Sequence, residues 1–122
     1  MHTRHPTLHQ LAADLKSGKT TSRALVEDGL ARIADKDGEG RRAFSKVADS
    51  QARAAADAMD RLRAAGIAPS PYAGIPISIK DLFDMAGEVT TAGSRVLADA
   101  PPAAVDAPCV ARLRGAGFVV MG

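Results

Sequence analysis

Apolar residues recur in helical stripes over the first half of the chain and in alternation and short runs over the second. Leu8, Leu11, Ala12 and Leu15 stand at i, i+3, i+4 and i+7, one face of a short helix that Ser17-Gly18-Lys19 ends. Thr20, Thr21 and Ser22 offer N-cap oxygens for a second helix, whose stripe is Leu25, Val26, Gly29, Leu30 and Ile33. Residues 35–40 form a polar loop, and Ala43 to Val47 reads as a short strand with a weak pattern, because Ser45 and Lys46 interrupt it. A third helix is predicted from about Asp49 to Ala65. Asp49 or Ser50 serves as its cap, Gly66 takes the C′ position, and Arg61 and Arg63 complement the dipole at its end. Its stripe of Ala48, Ala52, Ala55, Met59 and Leu62 is nearly all small, so the helix can lie close to a sheet.

The turn-rich link Ala68-Pro69-Ser70-Pro71 disfavours helix, and after Gly74 the period changes. Ile75, Ile77 and Ile79 alternate with Pro76, Ser78 and Lys80, as in a strand. A longer loop carries Gly87, Thr90, Thr91, Gly93 and Ser94. Asp106 then caps a last helix with Pro108 in its first turn and Val110 and Leu113 on its inner face; Gly115 and Gly117 stop it, and Phe118-Val119-Val120-Met121 reads as a buried strand. The order helix, strand, helix, strand predicts an α/β layer architecture. A finished domain seldom stops inside an apolar strand, so the ending at Gly122 predicts a chain cut short.

Composition narrows the class. The 122 residues include 46% apolar and 25% charged residues, which suits an ordinary globular protein of one domain at most and argues against disorder. Four aromatic residues and no Trp leave a core of aliphatics. The 16 Lys and Arg against 14 Asp and Glu give a net charge of +2, with the signs interleaved, as in a solvated face rather than a nucleic-acid interface. No run approaches the ~18 apolar residues of a membrane span, and the first residues lack the apolar centre of a secretory signal. A single cysteine, Cys109, suits a reducing compartment. A cytoplasmic protein is expected.

The segment Gly74-Ile75-Pro76-Ile77-Ser78-Ile79-Lys80-Asp81 is richest in chemistry. On a strand Ser78 and Lys80 share a face, with Asp81 on the other. If helices cover both faces, Lys80 is held in a dry setting, where desolvation disfavours ammonium and a lysine can act as a base. Spacing alone favours the alternative, an edge strand whose lysine faces water, and Pro76 adds weight to it. A Ser78–Lys80 dyad is geometrically allowed, but the familiar dyad stands three apart on a helix and a sheet leaves little room for a carbonyl.

Other candidates are weaker. The hydroxyls of residues 89–94 either line a pocket or satisfy their own loop, and the second use is the commoner. Gly115, Gly117 and Gly122 follow a helix and open a strand, the reverse of a nucleotide-binding loop. His2, His5 and His9 lack Cys or acidic companions at metal-ligand spacing, and no metal or cofactor is expected. Cys109 falls in the first turn of the last helix and reads as a small buried packing residue rather than a reactive thiol.

Taken together, Gly-Ile-Pro-Ile-Ser-Ile-Lys-Asp-Leu-Phe-Asp at 74–84, Gly87, Thr-Thr-Ala-Gly-Ser at 90–94, Asp-Ala-Pro-Cys-Val-Ala-Arg-Leu-Arg at 106–114 and Gly-Ala-Gly-Phe-Val-Val-Met-Gly at 115–122 resemble the amidase signature family. The resemblance implies the N-terminal part of a large mixed sheet sandwiched by helices. It divides the chain into a helical part at 1–66, a lysine strand and hydroxyl loop at 74–94, and a helix and strand at 106–121. It implies carboxamide hydrolysis by a Ser–cis-Ser–Lys triad, with Lys80 at the lysine position and a small-molecule amide as substrate. Both serines of that family lie in a downstream Gly/Ser-rich segment, so neither Ser78 nor Ser94 matches a nucleophile, and the 122-residue chain alone is expected to be inactive. Two alternatives stand beside this: a non-catalytic remnant or interaction module, and the start of the A subunit of a tRNA-dependent amidotransferase.

Overall fold

The structure is a computed structural model and describes residues 5–122. Helix α1 (Leu8–Ser17) begins with a reciprocal cap: the Thr7 hydroxyl accepts from the Gln10 amide, and the Gln10 side chain accepts from the Thr7 amide. Gly18, left-handed at φ +77°, closes it by donating to the Asp14 and Leu15 carbonyls. Helix α2 (Ser22–Ala34) is capped by Thr21, whose hydroxyl accepts from the Ala24 amide at 3.1 Å.

A second, long-range cap joins α2 to α4 (Asp49–Ala64). The Asp60 carboxylate accepts from the Ser22 and Arg23 amides at 2.8 and 3.0 Å, satisfying two of the amides that a helix start leaves unpaired. The core lies between these helices and the sheet. Val26 and Leu30 of α2 and Ala52 and Ala56 of α4 enclose Val119 and Met121, with Ile33, Phe44 and Met59 at the margin. Small residues on α4 permit this close approach, as the alanine stripe predicts, although Ala56 rather than Leu62 completes the buried face.

Two boundaries differ from expectation. Residues 43–47 are not a strand: α3 (Gly40–Ala43) is a single turn, and the chain then bends at Ser45 and continues irregularly to Ala48, whose amide donates to the Met121 carbonyl at 2.8 Å. Gly40 explains the turn, because a Cβ there would lie 2.4 Å from Ile33 Cα, and only glycine lets the chain fold back on α2 so tightly. Neither Asp49 nor Ser50 caps α4. The N-cap is Ala48, without a side-chain bond, while the Ser50 hydroxyl donates to Gln51 and Asp49 pairs with Arg53.

The strands are short and parallel. β1 (Pro76–Ile77) lies beside β2 (Val119–Val120), with Pro76 opposite Val119 and Ile77 opposite Val120. Single bonds extend the ladder both ways, from the Gly74 amide to the Gly117 carbonyl (2.8 Å) and from the Ile79 amide to the Gly122 carbonyl (2.9 Å). The connection between them carries a 3-10 turn at Arg95–Leu97 and α5 (Pro108–Gly115), as parallel pairing requires a crossover. Helices and a parallel strand pair form the α/β layering expected from the sequence. No helix among the described residues is long and apolar enough to cross a membrane.

Gly74 sits at φ +94°, and a Cβ there would stand 2.7 Å from Ser22 Cβ, beside the hydroxyl that donates to the Gly74 carbonyl at 2.6 Å. Gly74→Ala therefore combines left-handed strain with overpacking and is expected to destabilise by about 3 kcal/mol or more. Gly18→Ala, with open space around it, should cost only about 1–2 kcal/mol of backbone strain. Urea unfolding of both variants checks the ranking; equal midpoints would refute the packing argument.

On the outer face of α2 and α4, Glu27 accepts from Arg23 and Arg53, each Nε at 2.8 Å, while Arg23 reaches Asp57 at 2.7 Å. The hydrogen bonds from Arg53, then those from Arg23, push the Glu27 carboxyl down from 4.5 to about 2. A value lowered by folding means that the stabilisation is present above about pH 4.5 and is lost as the pH falls toward 2. Glu27→Gln should flatten the dependence of the urea midpoint on pH within that window; an unaltered slope would show that the network contributes nothing.

Candidate functional site

β2 has two faces with different duties. Val119 and Met121 enter the helical core, whereas Phe118, Val120 and Gly122 line a cavity of about 480 Å³ on the other side. The far wall is the segment that follows β1, including Ile79, Lys80, Asp81, Phe83, Thr90 and Thr91. Ile79 and Lys80 both line this cavity although they are neighbours, so strict alternation does not persist to residue 80. The regular strand stops at Ile77, and the Lys80 carbonyl already accepts from the Leu82 amide at 2.7 Å and the Phe83 amide at 3.2 Å. Lys80 is exposed at the cavity mouth, not enclosed between layers.

Ionic groups in the cavity wall are paired off, with one exception. Lys46 bridges to Glu88, and Arg114 pairs with Asp106 at 3.1 Å. Asp81 accepts from the Thr91 amide at 2.8 Å and from the Thr91 hydroxyl. These bonds, the side-chain one foremost, hold its carboxyl below the usual aspartate range. Among the described residues Lys80 is the lining cation with no carboxylate within ion-pair distance. Asp81 follows Lys80 directly but turns to Thr91, which leaves the amine free.

The hydroxyl loop both lines the cavity and satisfies its own neighbourhood. Thr90 donates to Asp84 at 2.7 Å and Thr91 to Asp81, while the Ser94 hydroxyl accepts from the Val96 amide and caps the 3-10 turn. Ser78 is exposed and does not line the cavity, so no Ser78–Lys80 pair faces a common space there. Asp106 does not cap α5; its carboxylate instead accepts from the Ala86 amide at 2.8 Å and pairs with Arg114, and the N-cap is Ala107.

Cys109 is in the first turn of α5 but is exposed, because the inner face of that helix is taken by Val110. His2 lies outside the described residues. His5 is exposed near Arg32, and His9 tilts against Tyr72, which stacks on Phe118. Among the described residues no group of three His, Cys, Asp or Glu side chains is placed to hold a metal ion. Sequence reading missed Lys46 and Glu88. They lie 42 residues apart in irregular chain, where no periodicity marks a pair.

Comparison with known proteins gives a consistent picture. Residues 24–122 match the family model described as Amidase. The chain is 42% identical over 113 residues to AtzE, the 1-carboxybiuret hydrolase subunit of Pseudomonas sp. (strain ADP), covering 93% of this chain and 24% of that protein. It is 44% identical over 113 residues to the A subunit of the glutamyl-tRNA(Gln) amidotransferase of Mycobacteroides abscessus, covering 92% and 22%. The crystal structure of the peptide amidase from Stenotrophomonas maltophilia superimposes with a TM-score of 0.85 at 35% identity, over 99% of this chain and 25% of that one. The chain thus spans about a quarter of the length of the relatives it matches.

The position of Cys109 has a direct check. An aromatic disulfide reagent should titrate one thiol in the folded chain at a rate within about tenfold of that in denaturant, as for an accessible cysteine. Reaction only after unfolding would place the thiol inside.

Proposed function

The chain belongs to the amidase signature family, and from that membership we propose that it supplies the lysine of a Ser–cis-Ser–Lys triad that cleaves carboxamide C–N bonds. The observation that carries this reading is Lys80, an amine in the Gly-Ile-Pro-Ile-Ser-Ile-Lys-Asp motif that lines the cavity unpaired by any carboxylate among the described residues. A general base needs both properties: access to a substrate-sized space, and freedom from a competing acid.

In this reading a serine attacks the amide carbonyl and passes its proton through the cis serine to Lys80. The amine or ammonia leaves with a proton, an acyl-enzyme forms, and water releases the acid. The serines and the backbone donors for the oxyanion come from a Gly/Ser-rich segment that is not among these 122 residues, so the chain by itself is inactive. Its substrate is a small-molecule amide, and no cofactor takes part.

A second reading draws support from the relatives named as amidotransferase A subunits. There the same lysine would serve ammonia release, with transfer to a partner protein. The motif through Gly122 is common to both uses.

Replacing the matching quarter of the Stenotrophomonas maltophilia peptide amidase with residues 1–122 tests the role of the lysine. The chimera is expected to hydrolyse a carboxamide, and Lys80→Ala to lower kcat by about 10²–10⁴, the range for loss of a general base. A Lys80→Ala chimera as active as its parent would overturn the assignment.

A further inference from the structure

The backbone on either side of Lys80 is held by two unlike anchors. Before it, the Ile79 amide donates to the Gly122 carbonyl at 2.9 Å, a main-chain bond that any residue could make. After it, the anchor is a side chain: the Asp81 carboxylate takes the Thr91 amide at 2.8 Å and the Thr91 hydroxyl. The turn that presents these donors is unusual, with Ala92 at φ +49° and Gly93 at φ +74°, both left-handed. The Thr91 hydroxyl and amide, and after them the Ala92 amide, hold the Asp81 carboxyl below its ordinary range. Asp81 and Thr91 line the same cavity as Lys80. Neither belongs to a helix or strand, so periodic hydrogen bonding does not fix this part of the chain.

We propose that Asp81 is a positioning residue: gripped by Thr91, it fixes the backbone from which Lys80 meets the cavity. It also keeps its own charge away from the amine. Both effects come from one geometry, because a carboxylate committed to Thr91 cannot turn back to pair with its neighbour in sequence. This assignment rests on the reading of Lys80 as the base, and it extends that reading to a residue that touches no reacting atom.

The test uses Asp81→Asn, Thr91→Val and Thr91→Ser. Thr91→Val removes the hydroxyl but leaves Asp81 intact, so it serves if the aspartate variant folds poorly. In the 122-residue chain, nitrogen relaxation should show the Lys80 amide order parameter falling from about 0.85 to below about 0.6 in the first two variants and unchanged in Thr91→Ser. In the chimera, the first two should lower kcat at least tenfold with KM within twofold and the melting temperature nearly unchanged, and Thr91→Ser should restore kcat. A purely structural role would move the melting temperature and leave kcat of the folded enzyme alone. Unchanged order at Lys80, or lost order with unchanged kcat, would overturn the proposal. An active Lys80→Ala chimera would instead sink the parent reading, and the relaxation result would still decide whether Asp81 holds the backbone.

Discussion

Everything that gives this chain a site hangs on the short parallel ladder between residues 74–79 and 117–122. Its bonds run from the Gly74 amide at one end to the Ile79 amide at the other, and three glycines make them possible. Gly74 must accept the Ser22 side chain against its backbone, Gly117 must let Ala73 approach, and a Cβ on Gly122 would meet the Lys46 carbonyl oxygen at 2.1 Å. The ladder is thus wedged between α2 on one side and the 44–48 segment on the other, and no regular strand longer than two residues is needed to hold its register. Because β2 turns Val119 and Met121 toward the helices, its alternate residues are free to form the cavity floor. Core and site are opposite faces of the same five residues, 118–122.

The helices were legible because their signals are local. Thr21, Gly18 and Gly66 each mark an end through bonds or backbone angles settled within four residues, and the alanine stripe of α4 states its own closeness to the sheet. What the pattern could not carry was competition between distant groups. Asp60 caps a helix 38 residues earlier in the chain, and Asp106 gives its carboxylate to Ala86 and Arg114 instead of to its own helix. A strand was expected at 43–47 on a weak pattern, but Ala43 ends α3, Ser45 bends the chain, and no residue of the stretch joins the ladder. The main-chain bond that ties this stretch to β2 comes from Ala48, one residue beyond it.

The candidate site was legible to the same depth. Lys80 and the hydroxyls of 90–94 could be marked from composition and spacing, and Lys80, Thr90 and Thr91 line the cavity. Their pairing could not be read, since Asp81, Glu88 and Asp106 choose partners 10, 42 and 8 positions away with no shared period. Cys109 shows the same limit on the helix surface: one residue of rotation separates the buried Val110 from an exposed thiol.

The crossover between the two strands has a kinetic consequence. Lys80, Thr90, Thr91, Arg114 and Phe118 all belong to the stretch that leaves β1 and returns to β2, so most of the cavity wall is one closed loop, completed by Lys46, Ala48 and Gln51 from the helical side. Closing such a loop costs entropy that local helix formation does not, and its reward arrives only when both strands are in register. On this ground local helix formation does not wait for loop closure, whereas the part of the wall that the loop supplies requires both strands in register. An opening of the ladder, however brief, releases the loop's whole share of the wall at once.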